Sequence, residues 1–157
     1  MIKKDKLNCK KRPIILLDLN YTLVENSALI KNTRPYQKKI MQERYRKWLI
    51  NLIESYHVII ITARPNYQKE CTIKSIKEKL SGWMPNELYF QEENDAPPIA
   101  KEKLLNKYIF PKHDIKNSYL AIESNPKTKL MYLNYKIPSV SVYDEEGIDL
   151  RKILNEI

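Results

Sequence analysis

Glycine is nearly missing from this chain: only Gly82 and Gly147 occur in 157 residues. A glycine-rich phosphate loop of the kinase or dinucleotide-binding kind is therefore excluded. The two cysteines, Cys9 and Cys71, are too few for a disulfide framework. No apolar run approaches the roughly 20 residues that a membrane-spanning helix needs. The longest are Ile14–Leu17 and Val58–Ile61. The basic N-terminus is followed by no apolar segment of the kind an export signal requires. The expected location is the cytoplasm, with both thiols reduced. His57 and His113 are the only histidines. They show no ligand or triad spacing and are read as structural. Nine prolines without any repeat exclude a low-complexity or fibrous chain.

Positive charge is abundant. Lys and Arg number 28 against 19 Asp and Glu, a formal net charge of +9. Such an excess favours polyanionic partners: nucleotides, nucleic acid or an anionic surface. It also serves solubility, and the lysines are spread along the chain. Six basic residues fall between Met1 and Arg12. That segment is read as a flexible basic tail preceding a single domain over 13–157.

From Pro13 onward, strand and helix signals alternate. Ile14–Leu17 is an apolar run closed by Asp18, the pattern of a strand covered on both faces. Val58–Thr62, Glu87–Phe90, Ser118–Ile122 and Ser139–Val142 read as four more strands. Helical spacing of Met41, Tyr45, Trp48, Leu49, Leu52, Ile53 and Tyr56 predicts one long helix from Pro35 to Tyr56. In its segment 36–48 the aromatics are assigned to the core and the charges to a solvated face. Further helices are expected from Asn66 to about Leu80, stopped by Gly82, and from Pro98 to about Ile109, ended by Pro111. Two more run from an Asn125 cap and Pro126 to about Tyr135, and from Ile148 to Ile157. The expected fold is α/β: a three-layer, doubly wound, Rossmann-like parallel sheet of five strands. Ligands of such sheets bind at the carboxyl ends of the strands.

Those ends carry Asp18-Leu-Asn20-Tyr-Thr22, Thr62-Ala63-Arg64, and Glu123-Ser124-Asn125, with Lys101 on the intervening helix. Taken in order, they resemble the four motifs of the haloacid dehalogenase-like superfamily of phosphatases. Within it the chain is most similar to the phosphatase domains of phage polynucleotide kinase-phosphatases, through Thr62-Ala-Arg64, Ile99-Ala-Lys101 and Leu120-Ala-Ile-Glu123. The resemblance implies Mg2+ as cofactor, held by Asp18, the Asn20 carbonyl, Glu123 and Ser124 or Asn125. It implies Asp18 as nucleophile, forming an aspartyl-phosphate. Thr62 and Lys101 would bind the non-reacting phosphate oxygens. Thr22, Ala63 and Arg64 would contact substrate, Arg64 as a bidentate phosphate or nucleotide ligand.

Two departures from the family pattern matter. Asn20 stands where these phosphatases carry a second Asp, which protonates the leaving group and activates water. General acid–base help is worth about 10²–10⁴-fold. Asn20 thus predicts a slow enzyme, a preference for good leaving groups, or a catalytically degenerate protein that binds phosphate or nucleic acid without turnover. Ser124 replaces a metal-site carboxylate, a loss that Asp95 or a water-bridged group would have to offset. About 44 positions separate Asp18 from Thr62, and ten residues lie between Phe90 and Lys101. Neither gap holds a cap domain. An open site suits large substrates such as nucleic-acid ends, or completion by oligomerisation.

Overall fold

The computed structural model describes residues 11–143 and 148–156. Five strands form one all-parallel sheet: β1 (Ile14–Leu17), β2 (Val58–Pro65), β3 (Glu87–Gln91), β4 (Tyr119–Ile122) and β5 (Ser139–Val140), in the order β3-β2-β1-β4-β5. β1 is central and all four of its residues are buried. Its alternation divides the apolar core. Ile15 and Leu17 join one cluster, and Ile14 and Leu16 join the other.

Between β1 and β2 lie three short helices, α1 (Ser27–Ile30), α2 (Tyr36–Met41) and α3 (Lys47–Ile53); α4 (Lys69–Lys79) joins β2 to β3. Leu49 and Ile53 of α3 and Ile76 of α4 cover the Ile15 face. After β3 come α5 (Pro97–Leu104) and α6 (Phe110–His113), and α7 (Pro126–Asn134) joins β4 to β5. Leu104, Phe110, Met131 and Tyr132 cover the Ile14 face. The final helix, α8 (Ile148–Glu156), returns to the first face through Leu150. The two halves of the sheet therefore wind onto opposite faces, as the α/β reading requires. Each fully buried Leu or Ile contributes about 1.5–3 kcal/mol of transfer free energy. No helix among the described residues is long and apolar enough to cross a membrane.

Several local expectations are corrected. The single helix from Pro35 to Tyr56 is two helices, α2 and α3, separated by an extended stretch in which Tyr45 bridges to Val24. Asn26 explains the break: its amide donates to Gln42 O at 2.8 Å and its Oδ1 accepts the Arg44 N–H at 2.8 Å. Arg46 N–H adds a bond to Leu23 O at 2.9 Å. These tertiary bonds satisfy the backbone outside a helix and override the 3.6-residue pattern. Met41, one of the apolar positions in that pattern, is 75% exposed.

Pro111 does not end the helical run that starts near Pro98. A wide turn over Leu105–Ile109 leads into α6, and Pro111 occupies its first turn, where a missing N–H costs nothing. Asn66 opens a short 3₁₀ turn over Asn66–Gln68 without a side-chain cap, and α4 starts at Lys69. β2 runs to Pro65 with a register shift between Thr62 and Pro65, and β5 stops at Val140. The tail reading of Met1–Arg12 falls, except for Lys11 and Arg12, outside the described residues, as do Cys9 and Ile157.

Candidate active site

β1 and β4 are neighbours, and their following connections leave toward opposite halves of the sheet. This topological switch point opens a crevice at the carboxyl edge. Asp18 leaves β1 with its N–H bonded to Ile122 O at 3.0 Å, which seats it beside the end of β4. The chain then reverses sharply: Asn20 is extended and Tyr21 has φ 61. That turn carries Thr22 back beneath Asp18, where its hydroxyl donates to Asp18 Oδ2 at 2.7 Å.

Lys101 comes from α5, whose first turn is made by Pro97 and Pro98. Its side chain is only 2% exposed. Nζ donates to Asp18 Oδ1 at 2.6 Å and to Glu123 Oε2 at 2.5 Å. The other Glu123 oxygen accepts the backbone N–H groups of Ser124 and Asn125, each at 3.0 Å. One buried ammonium thus holds two carboxyl groups, and the cluster carries one net negative charge when both are ionised. Burial pushes Glu123 up to about 7; Lys101 pulls it down and Asp18 pushes it up. Burial lowers Lys101, but the two carboxylates outweigh it and raise it overall.

The crevice has a volume of about 520 Å³ and is lined by Asp18, Asn20, Thr62, Ala63, Lys101 and Glu123, with Ser124 and Asn125 on its rim. That is the size range of small-molecule sites. Seven of the expected residues therefore have side chains or backbone on one cavity: Asp18, Asn20, Thr62, Ala63, Lys101, Glu123 and Ser124. Among the described residues the donors that Asp18, Asn20 and Glu123 offer are oxygens, and the local charge is negative. This set fits magnesium, a hard cation bound by carboxylates and carbonyls.

Other expected residues have different places. Thr22 is 0% exposed and lies behind Asp18, so it supports the carboxylate and cannot touch substrate. Ser124 Oγ is paired with Thr22 Oγ1 at 2.6 Å and donates to Tyr21 O at 3.1 Å. Those bonds tie the β4 loop to the β1 loop. Asn125 accepts from Lys127 N–H at 2.9 Å, the geometry of a helix cap. Arg64 is 5% exposed rather than free to grip phosphate. Its guanidinium bonds Asn20 Oδ1, Thr72 Oγ1 at 3.1 Å and the Glu43 carboxylate. Asp95 sits in a separate hollow beside α5, paired with Lys103 at 2.8 Å, and cannot replace the missing carboxylate.

Sequence reading missed Glu43, a 2% exposed carboxylate that balances Arg64. It also missed Tyr143, whose hydroxyl donates to Tyr21 O at 2.9 Å on the crevice rim. Neither residue lies in a motif, and nothing in their local sequence marks them.

The five-stranded parallel sheet, with its crevice at the β1/β4 switch, is a doubly wound α/β fold shared with a solved haloacid dehalogenase-like hydrolase. Two solved structures carry the comparison. The first, titled "Structure of Pnkp1/Rnl/Hen1 complex", superposes with a TM-score of 0.65 at 17% identity over 86% of this chain. This chain spans about half of that one, 47% of its length. The second is the haloacid dehalogenase-like family hydrolase SP0104 from Streptococcus pneumoniae, with a TM-score of 0.60 at 13% identity. There the match covers 90% of this chain and 98% of the other. At such identities the likeness defines the fold. No protein-family model matches the chain, and no curated protein sequence matches it.

Proposed function

We propose that this chain is a magnesium-dependent phosphohydrolase that acts through Asp18 on phosphates of nucleotides or nucleic-acid ends. The observation that carries the reading is the convergence of the Asp18 and Glu123 carboxylates on Lys101 inside the switch-point crevice. Magnesium, held by those carboxylates and the Asn20 carbonyl, supplies charge neutralisation when bound.

Asp18 attacks phosphorus, a phosphorus–oxygen bond forms to its carboxylate, and the bond to the leaving oxygen breaks. Thr22 fixes the carboxylate's rotation. Lys101 and Thr62 face the phosphoryl oxygens. The leaving alkoxide takes its proton from water, because the Asn20 amide has none to give. A second water then attacks phosphorus and gives its proton to the hydroxide left by the first, releasing inorganic phosphate and restoring the Asp18 carboxylate.

The substrate class rests on charge and surroundings. Beyond Asn20, a second groove is lined by Arg34, Tyr36, Lys39 and Tyr67. Tyr36 and Tyr67 pack edge to face with ring centroids 5.2 Å apart. Burial and the nearby Arg64 and Arg34 push Lys39 down, while Glu43 raises it. Cations crowded in this way favour an incoming anion, and the exposed Tyr67 ring offers a face to a base.

Hydrolysis of p-nitrophenyl phosphate, with and without magnesium, tests the reading. Magnesium-dependent release that Asp18→Asn abolishes supports it. Release that persists in Asp18→Asn rules out the mechanism. A second reading, phosphate or nucleic-acid binding without turnover, is favoured by Asn20. It expects no hydrolysis of any phosphomonoester, together with polynucleotide binding that falls steeply with salt.

A further inference from the structure

The two histidines do not stay apart. His57 immediately precedes β2, Glu87 begins β3 and His113 ends α6. These positions lie at the amino-terminal edge of the parallel sheet, the pole opposite the crevice. There both imidazoles turn their Nε2 atoms onto one carboxylate oxygen, Glu87 Oε2, at 2.7 Å for His57 and 2.6 Å for His113. The three ligand atoms lie within 4.8 Å of one another. The rings meet edge to face with centroids 5.1 Å apart.

We propose that His57, Glu87 and His113 form a zinc-binding site at this pole of the sheet.

Three features argue for it. First, the donor set is two imidazole nitrogens and one carboxylate oxygen, which suits a borderline-soft divalent cation and suits magnesium or calcium poorly. Second, the ligands are held from behind. Glu87 Oε1 accepts the Tyr89 hydroxyl at 2.7 Å and Lys112 Nζ at 2.9 Å, leaving Oε2 to face the histidines. His57 O accepts Ile15 N–H at 2.9 Å and His113 O accepts the Asn117 amide at 2.9 Å, so both backbones are fixed. Third, the site is accessible. The His57 side chain is 41% exposed, so its ring has room to move and a water has room to complete four-coordination. Tetrahedral zinc with ligands at about 2.0–2.1 Å separates them by roughly 3.3 Å. The two histidine–carboxylate pairs, at 2.7 and 2.6 Å, therefore need to part by less than about 1 Å. On binding, each histidine gives up its Nε2 proton to solvent or to Nδ1, and the metal takes the place of those protons on Glu87. The ion would tie β2, β3 and α6 together. The inference is independent of the chemistry in the crevice.

The test is titration of the untagged, metal-free chain with zinc sulfate in competition with a chromophoric chelator. One zinc per chain is expected at micromolar affinity or tighter. His57→Ala and His113→Ala should each weaken it by about tenfold or more, and Asp18→Asn should leave it unchanged. Cobalt in place of zinc should give the strong visible bands of a four-coordinate ion, lost in the histidine variants. His113 is half-buried, so if its variant fails to fold, His57→Ala at the exposed ligand decides alone. Zinc binding that is absent, or that survives His57→Ala, overturns the proposal.

Discussion

Asn20 Oδ1 accepts two hydrogen bonds from Arg64, at 2.6 Å from Nη2 and at 3.0 Å from Nε. The residue at the place where the phosphatase resemblance implies an acid–base group is thus held by a buried guanidinium. Glu43 balances that guanidinium at Nη2, the nitrogen that also bonds Asn20.

A carboxylate at position 20 would accept the same two bonds. Because Glu43 already neutralises Arg64, the new group would keep access to both protonation states. Asn20→Asp is therefore expected to raise turnover of alkyl phosphates, such as a nucleoside 3′-phosphate, by about 10²-fold. An aryl phosphate, whose leaving group needs little protonation, should gain far less. Steady-state kinetics on the two substrates check this. An equal gain on both, or none on either, would remove the missing acid as the cause of slow turnover.

The Arg64–Glu43 pair is itself a stability element. The two side chains are 4% and 1% exposed. Removing one partner strands the other charge away from water, a loss of about 3–5 kcal/mol. Glu43→Ala should cost that much in urea denaturation. Arg44–Glu25 gives the contrast, with side chains 64% and 40% exposed. Glu25→Ala should cost less than about 1 kcal/mol, since solvent already screens that pair. Comparable losses in the two variants would mean that burial does not govern the Glu43 charge.

Lys101 separates Asp18 from Glu123, so a neutral side chain there leaves two carboxylates facing one another. Lys101→Met should lower the metal-free Tm, and magnesium should recover part of the loss. The magnesium-induced rise in Tm should be larger in Lys101→Met than in the parent chain, because the bare carboxylates offer more negative charge. Differential scanning calorimetry with and without millimolar magnesium measures it. A smaller rise in the variant would show that Asp18 and Glu123 are not the metal's ligands.

How far the sequence disclosed this arrangement depends on the range of the forces involved. Strands β1 and β4 are covered on both faces, so they read as unbroken apolar runs, and their closing acids mark the crevice. Lys101 was legible only through the order of the motifs, since nothing local distinguishes it from the other basic residues. Arg64 was found but misplaced: its charge is visible in the sequence, while the Glu43 that captures it lies 21 residues away on another element. His57, Glu87 and His113 are separated by 30 and 26 residues. Their meeting follows from the β2–β3 pairing and the docking of α6, which no spacing rule reports.

The break between α2 and α3 shows the same limit and yields the last prediction. Local propensity favours one continuous helix, and Asn26 opposes it with two part-buried hydrogen bonds, to Gln42 O and from Arg44 N–H. Asn26 itself is 7% exposed, so water replaces the lost partners only in part. Asn26→Ala leaves one carbonyl and one amide unsatisfied at about 1–3 kcal/mol in total. The same bonds set the path of Glu43, which lies between them and braces Arg64 against Asn20. Asn26→Ala should therefore also loosen the crevice: in urea denaturation it should lose about 2 kcal/mol, and amide exchange at Arg44 and at Asn20 should speed up together. Faster exchange at Arg44 alone would show that the α2–α3 break and the crevice wall are mechanically independent.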